Sequence, residues 1–439
     1  MSDKIIINGG RELTGEISIG GAKNAVLKIM AAAILVDDIC EIHNVPELTD
    51  VKTMIEVINH LGIKTKYKPE NSSLIINAKH ITNYEACYEL VSKMRASFIV
   101  LGALLGRCKE ARVALPGGCA IGERRIDFHI KGLEALGAQI KIENGYVIAK
   151  ANKLTGAEIL LDRPSVGATE NIMLAAVLAE GSTILSNAAQ EPEIVDLANF
   201  LNAIGGDVNG AGTSEIIING VKPGELHAAT YTTIPDRIEA GTYMAAIVAT
   251  KGSAIIRNIY PAHLSAITSK LSDMGANINI IDPVSIEISC KSRPKAVDVV
   301  TQPHPGFPTD LQSPFMSALT ISKGISVITE SIYENRFRQI GELRRMGADV
   351  QQEGNHAIVK GVKQLTGAQV KASDLRAGAS LIVASLCANG ISEIESLYHI
   401  DRGYEKLVEK LSGLGADISR VEDDTVADVN IQNHNEIRI

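Results

Sequence analysis

Tryptophan is missing from this 439-residue chain, and aromatic residues make up only 4% of it. Surfaces that stack bases on aromatic rings are therefore disfavoured, and the core has to be aliphatic. Positive charge is in deficit as well. A net charge of −8 and a pI of about 5.8 argue against a general polyanion binder, though not against an anionic small molecule in a local basic pocket. No apolar run approaches the ~18 residues of a membrane helix. The longest clean stretch runs only from Ile29 to Val36. The opening MSDKIIINGG carries Asp3 and three isoleucines, which does not read as a signal peptide. Cys40, Cys87, Cys108, Cys119, Cys290 and Cys387 are scattered, with no CxxC pair and no His/Cys cluster at zinc-ligand spacing. They read as free thiols of a reducing cytoplasm, with no metal site. GxxxxGK[ST], GxGxxG followed by an acid, GxSxG and HExxH are absent, so ATP, dinucleotide, elbow-serine and zincin chemistry lack support.

What the chain does have is ordinary globular composition and a repeat. Hydrophobic residues are 45% and charged residues 21%, which excludes bulk disorder. The length suggests roughly two to four domains, with two favoured. A short phrase recurs every 68 to 75 residues: LGIKT at Leu61, LGAQI at Leu136, IGGDV at Ile204, MGANI at Met274, MGADV at Met346 and LGADI at Leu414. Four residues before each glycine stands an aliphatic residue, and a strand-forming stretch follows. This pattern predicts helix, left-handed cap, strand. A second turn precedes four of these markers by 23 to 25 residues, at Gly181, Gly252, Gly324 and Gly390, with Asp37-Asp38 in its place in the first unit.

Ahead of each second turn lies an apolar, Ala-rich segment of helical length, as in Ala25 to Val36 and Leu381 to Ala388. A short strand precedes it, clearest in LTGEISI at Leu13, LTGAEIL at Leu154 and LTGAQVK at Leu365. Each unit therefore reads as βαβαββ, with a buried first helix and a half-exposed second. Six such units exceed one comfortable core, so two lobes of three are expected. The widest spacing contains the segment 111–125, expected to be an inserted loop.

The starts of the apolar helices carry the chemistry. Lys23, Arg95, Arg237 and Arg376 stand where a cation opposes the helix dipole by ~0.3–1 kcal/mol. Small and hydroxyl residues such as Ser165 stand beside free N–H groups. Repeated at equivalent positions, the conflict points to a phosphate or carboxylate ligand. The structural alternative is that Arg237 and Arg376 pair with Asp236 and Asp374 as caps. Cys119 lies between glycines and close to Arg124 and Arg125, surroundings that favour a reactive thiol over an inert one. The turn His304 to Thr309 presents Asp310 at a helix start, either as a general base or as a simple first-turn acid. Asn335-Arg336 and Asp401-Arg402 are expected to open the second helices of the last two units, with surface salt bridges as the plain reading.

These phrases together resemble the UDP-N-acetylglucosamine enolpyruvyl transferase family. The resemblance rests on SIGGAKNAVLKIMAA, VPELTDV, MRASFIVLG, LPGGCAIGERRIDFHI, SVGATENIM, EPEIVD, PDRIEAGT, HPGFPTDLQ, ENRF, DLRAGASL and YHIDRGYEKL, which span Ser18 to Leu407. The sister enzymes that use shikimate 3-phosphate share the fold but lack the cysteine loop. The resemblance implies a two-lobed inside-out α/β barrel of six βαβαββ units. One lobe would be residues 23–233, carrying the 111–125 loop, and the other 1–22 plus 234–439. It implies enolpyruvyl transfer from phosphoenolpyruvate to the sugar 3-hydroxyl through a tetrahedral intermediate, with no cofactor, no metal, no nucleic acid and no membrane partner.

It also implies roles for particular residues. Lys23, Asn24, Arg124 and Arg402 would bind phosphoenolpyruvate, Cys119 would protonate its methylene carbon, and Asp310 would face the sugar hydroxyl. Arg95, Arg124, Arg125, Ile126, Asp127, Phe128, Arg163, Pro164, Ser165, Val166, Asp310 and Ile332 would contact the sugar nucleotide. Arg237, Arg336, Asp374 and Arg376 would line the cleft. Thr49 and Arg125 depart from the family's usual lysine and proline. The rival readings are the shikimate reaction and, from another class, a six-unit DNA clamp, which would need basic helices around its hole.

Overall fold

The computed structural model describes residues 3–116 and 126–421. Its plan follows from the period of the glycines. All six marker glycines adopt positive φ, from 84° at Gly415 to 101° at Gly275, so each ends a helix and turns the chain into a strand. In the second turn Gly181, Gly324 and Gly390 do the same, but in TKGSAII the left-handed residue is Lys251 (φ 57°), not Gly252. Gly252 is required for another reason: a Cβ there would lie 2.1 Å from the carbonyl oxygen of Leu13.

Among the described residues the strands form six four-stranded sheets. Each has one parallel edge pair followed by antiparallel neighbours, as when Glu158–Leu160 pairs parallel with Ser182–Ser186, which pairs antiparallel with Glu215–Asn219. Three sheets are completed by strands distant in sequence. Thr14–Ser18, expected to open the first unit, pairs parallel with Ser253–Arg257 in the fourth. The first unit's sheet takes Thr230–Thr232 instead, parallel to Ile39–His43. Lys4–Asn8 sits between Ile391–Glu395 and Asp417–Val421 and closes the sixth sheet. Ala111 to Ala114, expected in the inserted loop, belong to the strand Glu110–Ala114.

The apolar helices form the centre. They are α1 (Lys23–Ala32), α2 (Val100–Cys108), α3 (Val166–Ala176), α4 (Arg237–Ala249), α5 (Thr309–Thr320) and α6 (Leu375–Cys387). A helix apolar all round is stable only when covered on every side. In α4, every residue from Ile238 to Ala249 is buried. Small residues let these helices approach closely: Ser317 of α5 donates to the carbonyl of Ser380 in α6 at 2.7 Å.

The buried apolar residues fall into two clusters. One runs from Val26 to Leu226, and the other joins Ile5–Ile19 to Ile238–Ile418. The two crossings between them lie side by side. Ala22 donates its N–H to Ile234 at 2.8 Å, and Asp236 donates to Gly20 at 2.9 Å. No helix among the described residues is long and apolar enough to cross a membrane.

Candidate functional site

The crossing strands bring the start of α1 against the start of α4. Asp236 serves both. Its Oδ1 accepts from the N–H groups of Ile238 and Glu239 (2.8 and 3.0 Å), and its Oδ2 accepts from the N–H of Lys23 (3.1 Å). Short carboxylates do the capping at two of these helices, since Asp374 likewise accepts from the N–H groups of Arg376 and Ala377, both at 3.0 Å. The arginines next to them reach elsewhere. Arg237 makes a two-point pair with Glu193 at 3.0 and 3.2 Å. Arg376 donates to Asp310 at 2.9 Å and to the Tyr404 hydroxyl at 3.1 Å. The expected caps are therefore present, while the expected arginine–cap pairings are not.

Two carboxylates organise the centre, each holding two cations. Asp310, the second residue of α5, accepts from Arg336 at 2.7 Å and from Arg376 at 2.9 Å. The two arginine side chains are only 4% and 5% exposed. Burial raises the pKa of Asp310, but Arg376 and Arg336 outweigh it and hold the carboxyl well below the usual range. Asp50, in the first turn of the helix Thr49–His60, accepts from Lys23 Nζ at 2.8 Å and from Arg402 Nε at 2.8 Å. Burial pushes the Lys23 ammonium down, and Asp50 offsets part of that. Asn24 joins the two groups, its Nδ2 lying 3.5 Å from Asp310 Oδ2.

Arg336 and Arg402 do not open helices. Arg336 precedes the helix Ile340–Arg345 and Arg402 precedes Leu407–Gly413, each in a turn. Freed from a helix end, both point inward to a carboxylate, so surface salt bridges do not describe them. Ile332 lies in the same connection, its N–H donating to Glu330 Oε1 at 2.9 Å. Glu330 also accepts from Thr309 at 2.8 Å, which ties this turn to the start of α5.

A second group lies around the starts of α3 and the helix Asp127–Ala135. Ser165 caps α3, accepting from Ala168 at 3.5 Å, and is followed by Val166. Pro164 precedes it, and the Arg163 guanidinium lies 5.7 Å from the Phe128 ring centre. Ile126 is the N-cap of the Asp127 helix. Beneath them is a buried pair that sequence reading passed over. His129 Nδ1 lies 2.8 Å from Asn171 Nδ2, and Asn171 Oδ1 accepts from Gly102 N–H at 2.7 Å. Burial and the nearby Arg95 push the His129 imidazole down to about 3, so the ring is neutral. Cys119, Arg124 and Arg125 lie outside the described residues.

Sequence reading also missed Asp50, Glu193 and Tyr404. A first-turn acid is too common a helix signal to single out Asp50. The arrangement suits a small, multiply charged anion. Lys23, Arg336, Arg376 and Arg402 gather on two carboxylates, Asp50 and Asp310, while Asp236 and Asp374 are engaged by helix N–H groups.

The chain matches the EPSP synthase (3-phosphoshikimate 1-carboxyvinyltransferase) family over residues 7–411. It is 52% identical to UDP-N-acetylglucosamine 1-carboxyvinyltransferase 2 of Carboxydothermus hydrogenoformans, over 96% of this chain and 100% of that one. It is 50% identical to the UDP-N-acetylglucosamine 1-carboxyvinyltransferase of Gloeobacter violaceus, over 94% and 90%. In fold it is similar to the enolpyruvyl transferase NikO from Streptomyces tendae, with a TM-score of 0.85 at 24% identity over 95% and 99% of the two chains. It is also similar to EPSP synthase from Acinetobacter baumannii, with a TM-score of 0.73 at 18% identity over 96% and 100%. The two-lobed fold of six repeats, the clustered cations and these likenesses agree, and the chain belongs to the EPSP synthase family, within its UDP-N-acetylglucosamine 1-carboxyvinyltransferase branch.

Proposed function

We propose that this protein transfers the enolpyruvyl group of phosphoenolpyruvate to the 3-hydroxyl of UDP-N-acetylglucosamine and releases phosphate, the first committed step of peptidoglycan synthesis. The observation that carries this reading is the pair of carboxylates that hold four cations between them. Phosphoenolpyruvate is strongly anionic, and its departing phosphate needs fixed positive charge nearby. In this reading Lys23, Arg402 and Arg124 clamp the phosphate and carboxylate, with Asn24 beside them. Cys119 gives a proton to the methylene carbon, and Asp310 takes the proton of the sugar hydroxyl on the opposite side. Addition forms a tetrahedral phospholactoyl intermediate; in elimination the new methyl group gives up a proton as the C–O bond to phosphate breaks, which restores the double bond and releases phosphate.

Arg95, residues 124–128, Arg163 to Val166 and Ile332 hold the sugar nucleotide, while Arg237, Arg336, Asp374 and Arg376 shape the cleft. The ligands come from residues 23–233 and from 234–439, so the two lobes close on the substrates and exclude water. The reaction belongs in the cytoplasm, where both substrates are made.

The test is phosphate release from phosphoenolpyruvate by the purified protein. Release with UDP-N-acetylglucosamine and none with shikimate 3-phosphate is expected. Release with the shikimate acceptor alone would move the protein to the sister reaction.

A further inference from the structure

Asp50 is 2% exposed, yet it sits between the two described cations assigned to phosphoenolpyruvate. Lys23 Nζ lies 2.8 Å from it, and Arg402 approaches it through Nε at 2.8 Å and Nη2 at 3.4 Å. Lys23 stands just before Val26 of one hydrophobic core, and Arg402 lies between Ile400 and Tyr404 of the other. Neighbouring contacts hold the same seam without any charge pair. Thr49 N–H donates to the Asp401 carbonyl at 3.1 Å, and Glu47 N–H donates to Glu405 Oε1 at 2.7 Å. Asp50 is therefore not needed simply to keep the two segments together. Its distinguishing feature is its charge, placed where an anionic ligand would be bound. A fixed negative charge within about 5 Å of a bound anion weakens binding tenfold or more at an effective dielectric near 20. Such a group is tolerable in a binding site only if it has a use when the ligand is away.

We propose that Asp50 is the internal counter-ion of the anion site: in the free protein it holds Lys23 and Arg402 in the anion's place, and the arriving anion takes Arg402 from it. This rests on the reading of Lys23 and Arg402 given above. Arg402 is the partner free to move. It lies in a turn with its side chain 32% exposed, whereas Lys23 is 10% exposed and fixed at the start of α1. Asp50 is thus a positioning residue. It keeps two like charges pre-placed in a buried site and sets a threshold that favours multiply charged ligands over singly charged ones.

Inorganic phosphate is the probe, titrated by calorimetry into the whole protein. Asp50→Asn keeps the shape and one acceptor while removing the charge. It should bind phosphate at least ~10-fold more tightly than wild type. Its KM for phosphoenolpyruvate should fall while kcat also falls, because the cations are no longer placed. Asp50→Glu keeps the charge and should stay within about threefold of wild type in phosphate affinity. Phosphate binding that is unchanged or weaker in Asp50→Asn would overturn the proposal, since loss of a purely structural residue would lower affinity and turnover together. If Asp50→Asn does not fold, the comparison is Lys23→Met against Lys23→Met with Asp50→Asn. The double variant should bind phosphate more tightly, and equal or weaker binding overturns the proposal. Phosphate titration needs no turnover, so it separates this idea from the enzymatic reading, which fails only if wild type releases no phosphate from its two substrates.

Discussion

Asp310→Asn separates two roles that the geometry gives one carboxylate. Asp310 is both the proposed base and the only carboxylate seen to pair with Arg336 and Arg376 among the described residues. Removing one partner of a buried ion pair costs about 3–5 kcal/mol. Asparagine keeps one acceptor, and Asp310 retains 25% side-chain exposure, so the lower end, about 3 kcal/mol, is expected. At about 2–4 °C per kcal/mol for a lobe of this size, the melting temperature should fall by roughly 6–12 °C. Turnover, measured as phosphate release at 25 °C where the variant is still folded, should fall at least ~100-fold. Calorimetry should show a smaller loss in sugar-nucleotide affinity. A melting drop of this size with turnover within threefold of wild type would reduce Asp310 to a strut. The pH profile adds a constraint. Burial raises the pKa of Asp310, yet Arg376 and Arg336 hold it well below the carboxylate range in the free protein. Its acid limb in kcat/KM should therefore lie below about pH 4. So acidic a base must lose an arginine partner to the substrate before it takes the hydroxyl proton. An acid limb above pH 5 that moves in Asp310→Glu would show that the arginines do not hold it.

Two buried groups should oppose each other in acid. Burial, only partly countered by Lys28, raises Glu170 to about 7, so the folded state keeps a proton that the unfolded chain loses above about pH 4.5, and stability falls as pH rises through that window. His129, pushed to about 3, refuses a proton that the unfolded chain takes below about 6.5, so stability falls as pH drops. Glu170→Gln removes the first effect, so denaturant titrations should show the variant losing about 2 kcal/mol relative to wild type between pH 6.5 and 5; parallel profiles for the two proteins would refute the argument. Gly102→Ala places a Cβ 2.3 Å from the Asn171 carbonyl oxygen and should cost at least ~1–3 kcal/mol in thermal unfolding, with an unchanged melting temperature ruling out that close contact between α2 and α3. Cys119→Ser should abolish turnover, while Cys119→Asp should keep measurable activity, shift the optimum to lower pH and resist a small phosphonate epoxide; a fully active serine variant would exclude Cys119 as the acid.

The sequence exposes this fold where its signals are local and conceals it where they are not. The marker glycines are readable because a left-handed helix cap favours glycine, and all six are left-handed. Thr14–Ser18 is different. Its phrase matches those that open other units, and nothing within it says which sheet it will join. Its partner, Ser253–Arg257, is more than two hundred residues away. The same distinction separates caps from ion pairs. Asp236 and Asp374 have short side chains that cap the N–H groups of their own helix's first turn, so that role follows from position, although the second bond of Asp236, to the N–H of Lys23, does not. Arg237 and Arg376 have stems long enough to leave their own helix, and their partners, Glu193 and Asp310, are chosen by tertiary packing. Asp50 lies at the limit of this logic. Locally it is an acid in a first helical turn, favoured by the dipole and indistinguishable from many others. Only when α1 and the turn at Arg402 are brought beside it does it become a buried anion between two cations. Cations set against a helix dipole stand out in a sequence because they break a local rule, whereas the carboxylates that reconcile them break none.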